Sequence, residues 1–344
     1  MIDFRYHLVS LVSVFLALAI GLVLGATALK PVVVSTLQAT ANREHAQIDQ
    51  LIATGKVNSK QIAAGESFAQ AAEPQLLAHL LDGQRVVLVT APGAPGNVTS
   101  GISKALGEAG ATVTGQVQLQ SKFFDPRPAS QQVLSQLAQQ VAPATLDLPG
   151  GTPVAQAGKV LASAILTGGG PSQPAAGQAD GPGKSVLTGL SAAGFLSVSS
   201  GDPAARATLA VVVIPASPPA AGNASPASQY LVTLAQQLRT AGQGTVVAGT
   251  VAGSGTGSAV DVMRSGGRPG HMSSVDDADM ASGQIAVVQA LVGQLRGGSG
   301  SYGINGANGA GPSPVPTPSA SLSPTPSTTR SHRAAASPQA TGRN

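Results

Sequence analysis

Soft and hard metal ligands crowd together at one place in this chain: His271-Met272, with Asp276, Asp277 and Met280 a few residues on. An imidazole beside a thioether suits copper, and copper(I) in particular favours sulfur. Adjacent residues on a strand point to opposite faces, so His271 and Met272 share one ion only from a turn. The competing reading is that both are ordinary surface residues. The following Val275-Asp276-Asp277 precedes a helical apolar pattern with Ile285, Val287, Val288 and Leu291. An Asp in that place caps first-turn amides and favours the positive helix end, typically for about 1 kcal/mol.

Other chemistry finds less support. The stretch GQADGPGKS at 177–185 has the lysine and hydroxyl of a phosphate-binding loop, but Gln178 stands where the first glycine is required, and no apolar strand leads in. It reads as part of a linker. The stretch GTVAGSGTG at 249–257 follows a strand as a dinucleotide loop does, yet no helix pattern opens there, and a glycine-rich surface turn accounts for it. No GxSxG elbow exists, and His7, His45, His79, His271 and His332 lie on unrelated elements. Cysteine is absent, which removes thiolate zinc sites, iron–sulfur clusters and thiol catalysis together. No catalytic set can be assembled, so the sequence reads as non-enzymatic and without a resident cofactor.

The elements that position these residues begin with a membrane segment. Leu8 to Leu29 is an uncharged run closed by Lys30-Pro31. At about 1.5 Å of rise per residue it matches a ~30 Å hydrocarbon core. Residues 1–30 therefore read as a transmembrane signal anchor, although Ala26-Thr27-Ala28 would also serve as a signal cleavage site. Arg5 on one side faces Lys30 and Arg43 on the other, so export of the body follows from the segment type rather than from flanking charge. Residues 31–80 form a juxtamembrane helix. Its heptad seam runs Leu37, Ala41, Glu44, Ile48, Leu51, Gly55, Asn58, Ile62, only half apolar, which makes a weak coiled coil.

Residues 81–308 alternate strand and helix patterns. Strands are predicted at 85–90, 111–119, 194–198, 208–214 and 244–249, and helices at 98–109, 130–141, 155–166, 184–193, 228–240 and 279–295. The run at 208–214 is apolar throughout, as in a strand buried on both faces of a parallel sheet. The body is thus α/β, one or two Rossmann-like units, with a flexible loop at 168–183. Residues 309–344 are Pro/Ser/Thr-rich with no apolar period and read as a disordered tail.

The net charge is +4, and Arg330, Arg333 and Arg343 account for three of those four units in a tail that holds no acid. The body is nearly neutral and only 3% of residues are aromatic, so the basic stripe and stacking platforms of a nucleic-acid binder are missing.

The opening MIDFRYHLVSLVSVFLALAIGLVLG resembles the start of the MctB family of actinobacterial copper transport outer membrane proteins. Three later stretches agree with it: 83–92, GQGTVVAG at 242–249, and SSVDD at 273–277 leading into GQIAVVQALVGQLRGG and Tyr302-Gly303. The resemblance touches most of residues 1–305 and leaves out the tail. It implies an envelope protein associated with the outer mycolate membrane that contributes to copper efflux or homeostasis, with copper as transported ion. It also implies the lipid bilayer and self-association into a transport assembly as partners. A structural or interaction module with no direct copper binding is the alternative. Val275, Asp276 and Asp277 form a family-like motif of unknown role, and the alternating ~10-residue strands of a membrane barrel are absent.

Overall fold

The computed structural model describes residues 4–170, 174–216, 225–266 and 271–309, and over 27–36 the backbone alone. The expected tail and part of the loop at 168–183 lie outside them. A single helix, α1 (Phe4–Leu77, 74 residues), replaces the two helices expected on either side of Lys30-Pro31. A proline removes one backbone N–H bond, and the bonds of the turns before and after it carry the helix through. Within α1, Phe4–Ala26 is long and apolar enough to cross a bilayer, and none of that stretch is buried against the body.

The strands are β1 (Arg85–Thr90), β2 (Thr112–Leu119), β3 (Leu196–Gly201), β4 (Leu209–Val213), β5 (Gly244–Ala248), β6 (Ser273–Val275) and β7 (Ser301–Tyr302). They form one sheet in the order β3-β2-β1-β4-β5-β6-β7. All pairings are parallel except that of β3 with β2. The antiparallel edge is a departure from the expected parallel sheet. Strand β3 returns only after three helices, α3 (Pro128–Val141), α4 (Pro153–Ile165) and α5 (Gly181–Ala192), and its direction leaves no mark in its own apolar pattern.

Helices cover both faces. On β1, Val86 and Leu88 join one core with Leu77, α2 (Gly96–Glu108) and α8 (Ala281–Leu295), while Val87 and Val89 join the other with α3, α4, α5, α6 (Pro226–Ala241) and α7 (Ala259–Ser265). Strand β4 divides in the same way: Leu209, Val211 and Val213 pack to one side, Ala210 and Val212 to the other. That two-sided burial is why its sequence is apolar throughout. Helix starts follow local chemistry, with Thr152, Asp180 and Ser225 accepting first-turn amides of α4, α5 and α6, each just ahead of a proline.

From β1 the chain crosses to β2, whereas from β4 it crosses to β5 on the opposite side. The connections therefore diverge between two hydrogen-bonded neighbours, Val86↔Leu209 through Thr90↔Val213. Such a switch point opens a crevice at the carboxyl ends of the strands.

Candidate functional site

The crevice is a cavity of about 820 Å³ above β1, β4 and β5. Its floor is apolar. Its mouth carries Lys122, Asp125 and Arg127, contributed by the turn that follows β2 and the start of α3. Asp125 accepts hydrogen bonds from Arg127 Nε at 2.8 Å, from the Arg127 backbone N–H at 3.0 Å and from Ser130 Oγ at 2.7 Å. The guanidinium, with these further donors, holds the Asp125 carboxyl well below the usual carboxylate range.

A second polar centre lies at the far end of the same edge, where β6, β7 and α8 meet. Arg264 of α7 donates through Nε to Ser274 Oγ (3.0 Å), through Nη1 to Asp276 Oδ2 (2.8 Å) and through Nη2 to the Tyr302 carbonyl (2.9 Å). The Asn305 backbone N–H also donates to Asp276 Oδ2 at 3.1 Å. Asp276 and Asp277 are both buried, and each keeps one Oδ1 with no hydrogen-bond partner among the described residues. Gly303, at φ 104°, sits against these two oxygens; a Cβ there would lie 2.0 Å from Asp276 Oδ1 and 2.8 Å from Asp277 Oδ1. A side chain at 303 would collide with the carboxylates, and its backbone conformation also favours glycine. Burial, and then the Asp276 charge, push the Asp277 carboxyl up to about 6.

The expected capping role of these aspartates is not what the structure shows. Helix α8 begins at Ala281, and its N-cap residue Met280 makes no side-chain cap. The Asp277 carboxylate does lie against the first turn, where a Cβ on Gly283 would fall 2.7 Å from its Oδ1, but that oxygen accepts no hydrogen bond from the described residues. The Ala281 N–H instead donates to Glu66 Oε1 of α1. Lower on α1, the buried Glu73 accepts from Lys104 Nζ of α2 at 2.8 Å. The two acids, with Ala69 and Leu77, tie the end of α1 to the body. Neither Glu66 nor Arg264 stands in a motif, so pattern reading passes over both.

The two nucleotide-like stretches are spent on structure. Helix α5 does start inside GQADGPGKS, but Asp180 Oδ1 accepts the Gly183 N–H at 2.8 Å, and Asp180 pairs with Arg206 at 2.9 Å. A carboxylate thus occupies the place where a phosphate would bind. In GTVAGSGTG, a Cβ on Gly253 would come within 2.2 Å of the Pro215 carbonyl, so the glycine serves close packing of two loops. A short helix does follow, α7, opened by Ser258 accepting the Asp261 N–H at 3.1 Å.

His271 and Met272 part company. Met272 is fully buried in the core on the side of the sheet covered by α3 to α7, whereas His271, at φ 55°, is exposed. Val275 is buried in the opposite core. Among the described residues no three His, Cys, Asp or Glu side chains come together as a metal-ligand group.

Fold and edge together define a doubly wound α/β body carried on one long helix whose first stretch is apolar enough to span a membrane. The chain belongs to the MctB family: the family model described as "Copper transport outer membrane protein, MctB" matches residues 1–312. It is 31% identical over 309 residues to the copper transporter MctB of Mycobacterium tuberculosis (strain ATCC 25618 / H37Rv), covering 88% of this chain and 96% of that one. It is 30% identical over 316 residues to the copper transporter MctB of Mycobacterium leprae (strain TN), with the same coverage of each. A copper-transport-related envelope protein is the class these relatives support.

Proposed function

We propose that this chain is a membrane-anchored, non-enzymatic envelope protein that contributes to copper efflux or copper homeostasis, its body exported and its destination the outer membrane named in the family description, which we take to be the mycolate membrane. The observation that carries this reading is the continuity of α1. One helix joins the apolar Phe4–Ala26 stretch to the Glu66 and Glu73 contacts on the body. Some 40 residues of helix between them place the body about 60 Å from the bilayer.

Self-association is part of the reading. Leu37, Ile48, Leu51 and Ile62 are exposed on the free part of α1, and at helical spacing they continue the face by which Ala69, Glu73 and Leu77 meet the body. Copies inserted in one membrane run in the same direction, so a parallel bundle of these helices would cover the stripe. Retained copper in a deletion strain, returned to normal by the whole chain but not by a form lacking residues 1–30, tests the proposal together with separation of inner and outer envelope fractions.

The placement of His271 and Met272 favours a second reading, an interaction module of the envelope with no direct copper binding. The two side chains do not meet. Competition with a chromophoric copper(I) chelator separates the readings: stoichiometric binding by the pure chain supports transport through direct contact.

A further inference from the structure

We propose that the crevice above β1 and β4 binds an amphipathic anion, a small molecule with an apolar body and one acidic group. Its volume, about 820 Å³, falls in the ~300–1,000 Å³ range of small-molecule sites. It lies at the switch point of a doubly wound sheet, where strand ends leave room for a ligand.

The walls select the chemistry. Ala91, Ile214, Phe124, Leu231 and Ala259 line the floor and are nearly inaccessible, so they offer closely packed hydrocarbon to a ligand body. The charged groups at the mouth are two cations and one acid. That acid, Asp125, already accepts from Arg127 and Ser130. Arg127 uses Nε and Nη2 on it, which leaves Nη1 for an incoming carboxylate or phosphate, and its side chain is 80% exposed. Lys122 is turned aside, donating to the Ala193 carbonyl at 2.9 Å and lying 4.7 Å from the Phe195 ring centre. Arg127 is therefore the residue that reads the anion. Gly253, in the loop after β5, is packed against the Pro215 carbonyl, so this glycine is not open to a pyrophosphate.

The test is calorimetric titration of the whole chain in lipid nanodiscs against empty nanodiscs. The probes are 2-naphthylacetate and decanoate, each compared with its uncharged alcohol. At least one acid should bind ten times or more tighter than its alcohol; which of the two does so distinguishes a flat aromatic body from a linear acyl chain. Asp125→Asn, which frees the guanidinium, should tighten acid binding about threefold. Arg127→Gln should cut the acid preference below threefold and leave the alcohol unchanged. Ala227→Trp, on the exposed wall at the start of α6, should abolish binding of both while the circular dichroism spectrum stays the same. Failure of both acids to bind, equal affinity for acid and alcohol, or undiminished binding to the Ala227→Trp chain would overturn the proposal.

Discussion

The Glu66 carboxylate of α1 accepts the backbone N–H of Ala281, the first residue of α8, across 215 positions of sequence. A residue of the long N-terminal helix thus performs the capping that Met280 does not. Ser, Thr and Asp caps contribute about 1 kcal/mol when they satisfy such an amide, and a carboxylate also meets the positive end of the helix. Glu66→Ala should therefore destabilise the body by about 1 kcal/mol and speed exchange of the first-turn amides of α8. Glu66→Gln, which retains an acceptor oxygen, should cost less. Amide exchange followed by mass spectrometry checks this; unchanged protection at 281–284 in the alanine variant would contradict it.

Asp277 gives stability a pH dependence with a definite sign. Its carboxyl is pushed up to about 6 from an ordinary 3.8 by burial and then by Asp276, with Asp279 and Glu66 adding smaller repulsions. Between about pH 4 and 6 the folded chain holds a proton that the unfolded chain has released. Stability contributed by this group therefore falls as pH rises through that window and stays low above it. The limiting size is on the order of 2–3 kcal/mol, since each tenfold change in proton affinity corresponds to about 1.4 kcal/mol. Asp277→Asn should be more stable than the parent at pH 7.5 and show little change from pH 4 to 6. Urea melts across that range decide it, and parallel pH profiles for the two chains would refute the assignment.

What the sequence could disclose depended on how many residues carried each signal. Strand β4 announced itself because five consecutive apolar residues must serve two cores, and α6 because a helical pattern runs through 228–240, its Ser225 cap becoming visible only in the structure. Strands β6 and β7, of three and two residues, are shorter than any window in which alternation can be read. The site suffered more. Val275-Asp276-Asp277 stood out as a motif, but its partners Arg264, Tyr302 and Glu66 come from α7, β7 and α1, and only the fold brings them together. Likewise Asp125 and Arg127 look like an ordinary surface pair until the switch point sets a cavity behind them.

Arg264 should be the most sensitive position in the polar centre. It is the ion-pair partner of the fully buried Asp276 and also holds Ser274 and the Tyr302 carbonyl, so it fastens α7 to β6 and β7. Arg264→Met leaves a buried carboxylate without its cation, a loss that typically costs about 3–5 kcal/mol. Asp276→Asn in the same chain should recover part of that cost, because no uncompensated charge then remains. A double-mutant cycle by chemical denaturation measures the coupling, and strictly additive effects would show that the pair does not act as a unit.

Attachment to the membrane should depend on the first helix alone. Within α1 the apolar stretch Phe4–Ala26 is fully exposed with respect to the body, so nothing in the fold shelters it from water. The other apolar helix among the described residues, Ala281–Leu295, is shorter than a bilayer requires and lies largely buried on the sheet. Replacing Leu16 and Ile20 with Asp puts two carboxylates on one face near the middle of the span. On insertion scales each costs about 2.5–3.5 kcal/mol at a helix centre, enough together to offset most of the apolar contribution of the segment. Because, among the described residues, α1 meets the body through its last turns, the substitution should leave the α/β core folded. The double variant should move from the membrane pellet to the soluble fraction with its melting temperature unchanged, and full retention in the pellet would mean that another part of the chain holds the bilayer.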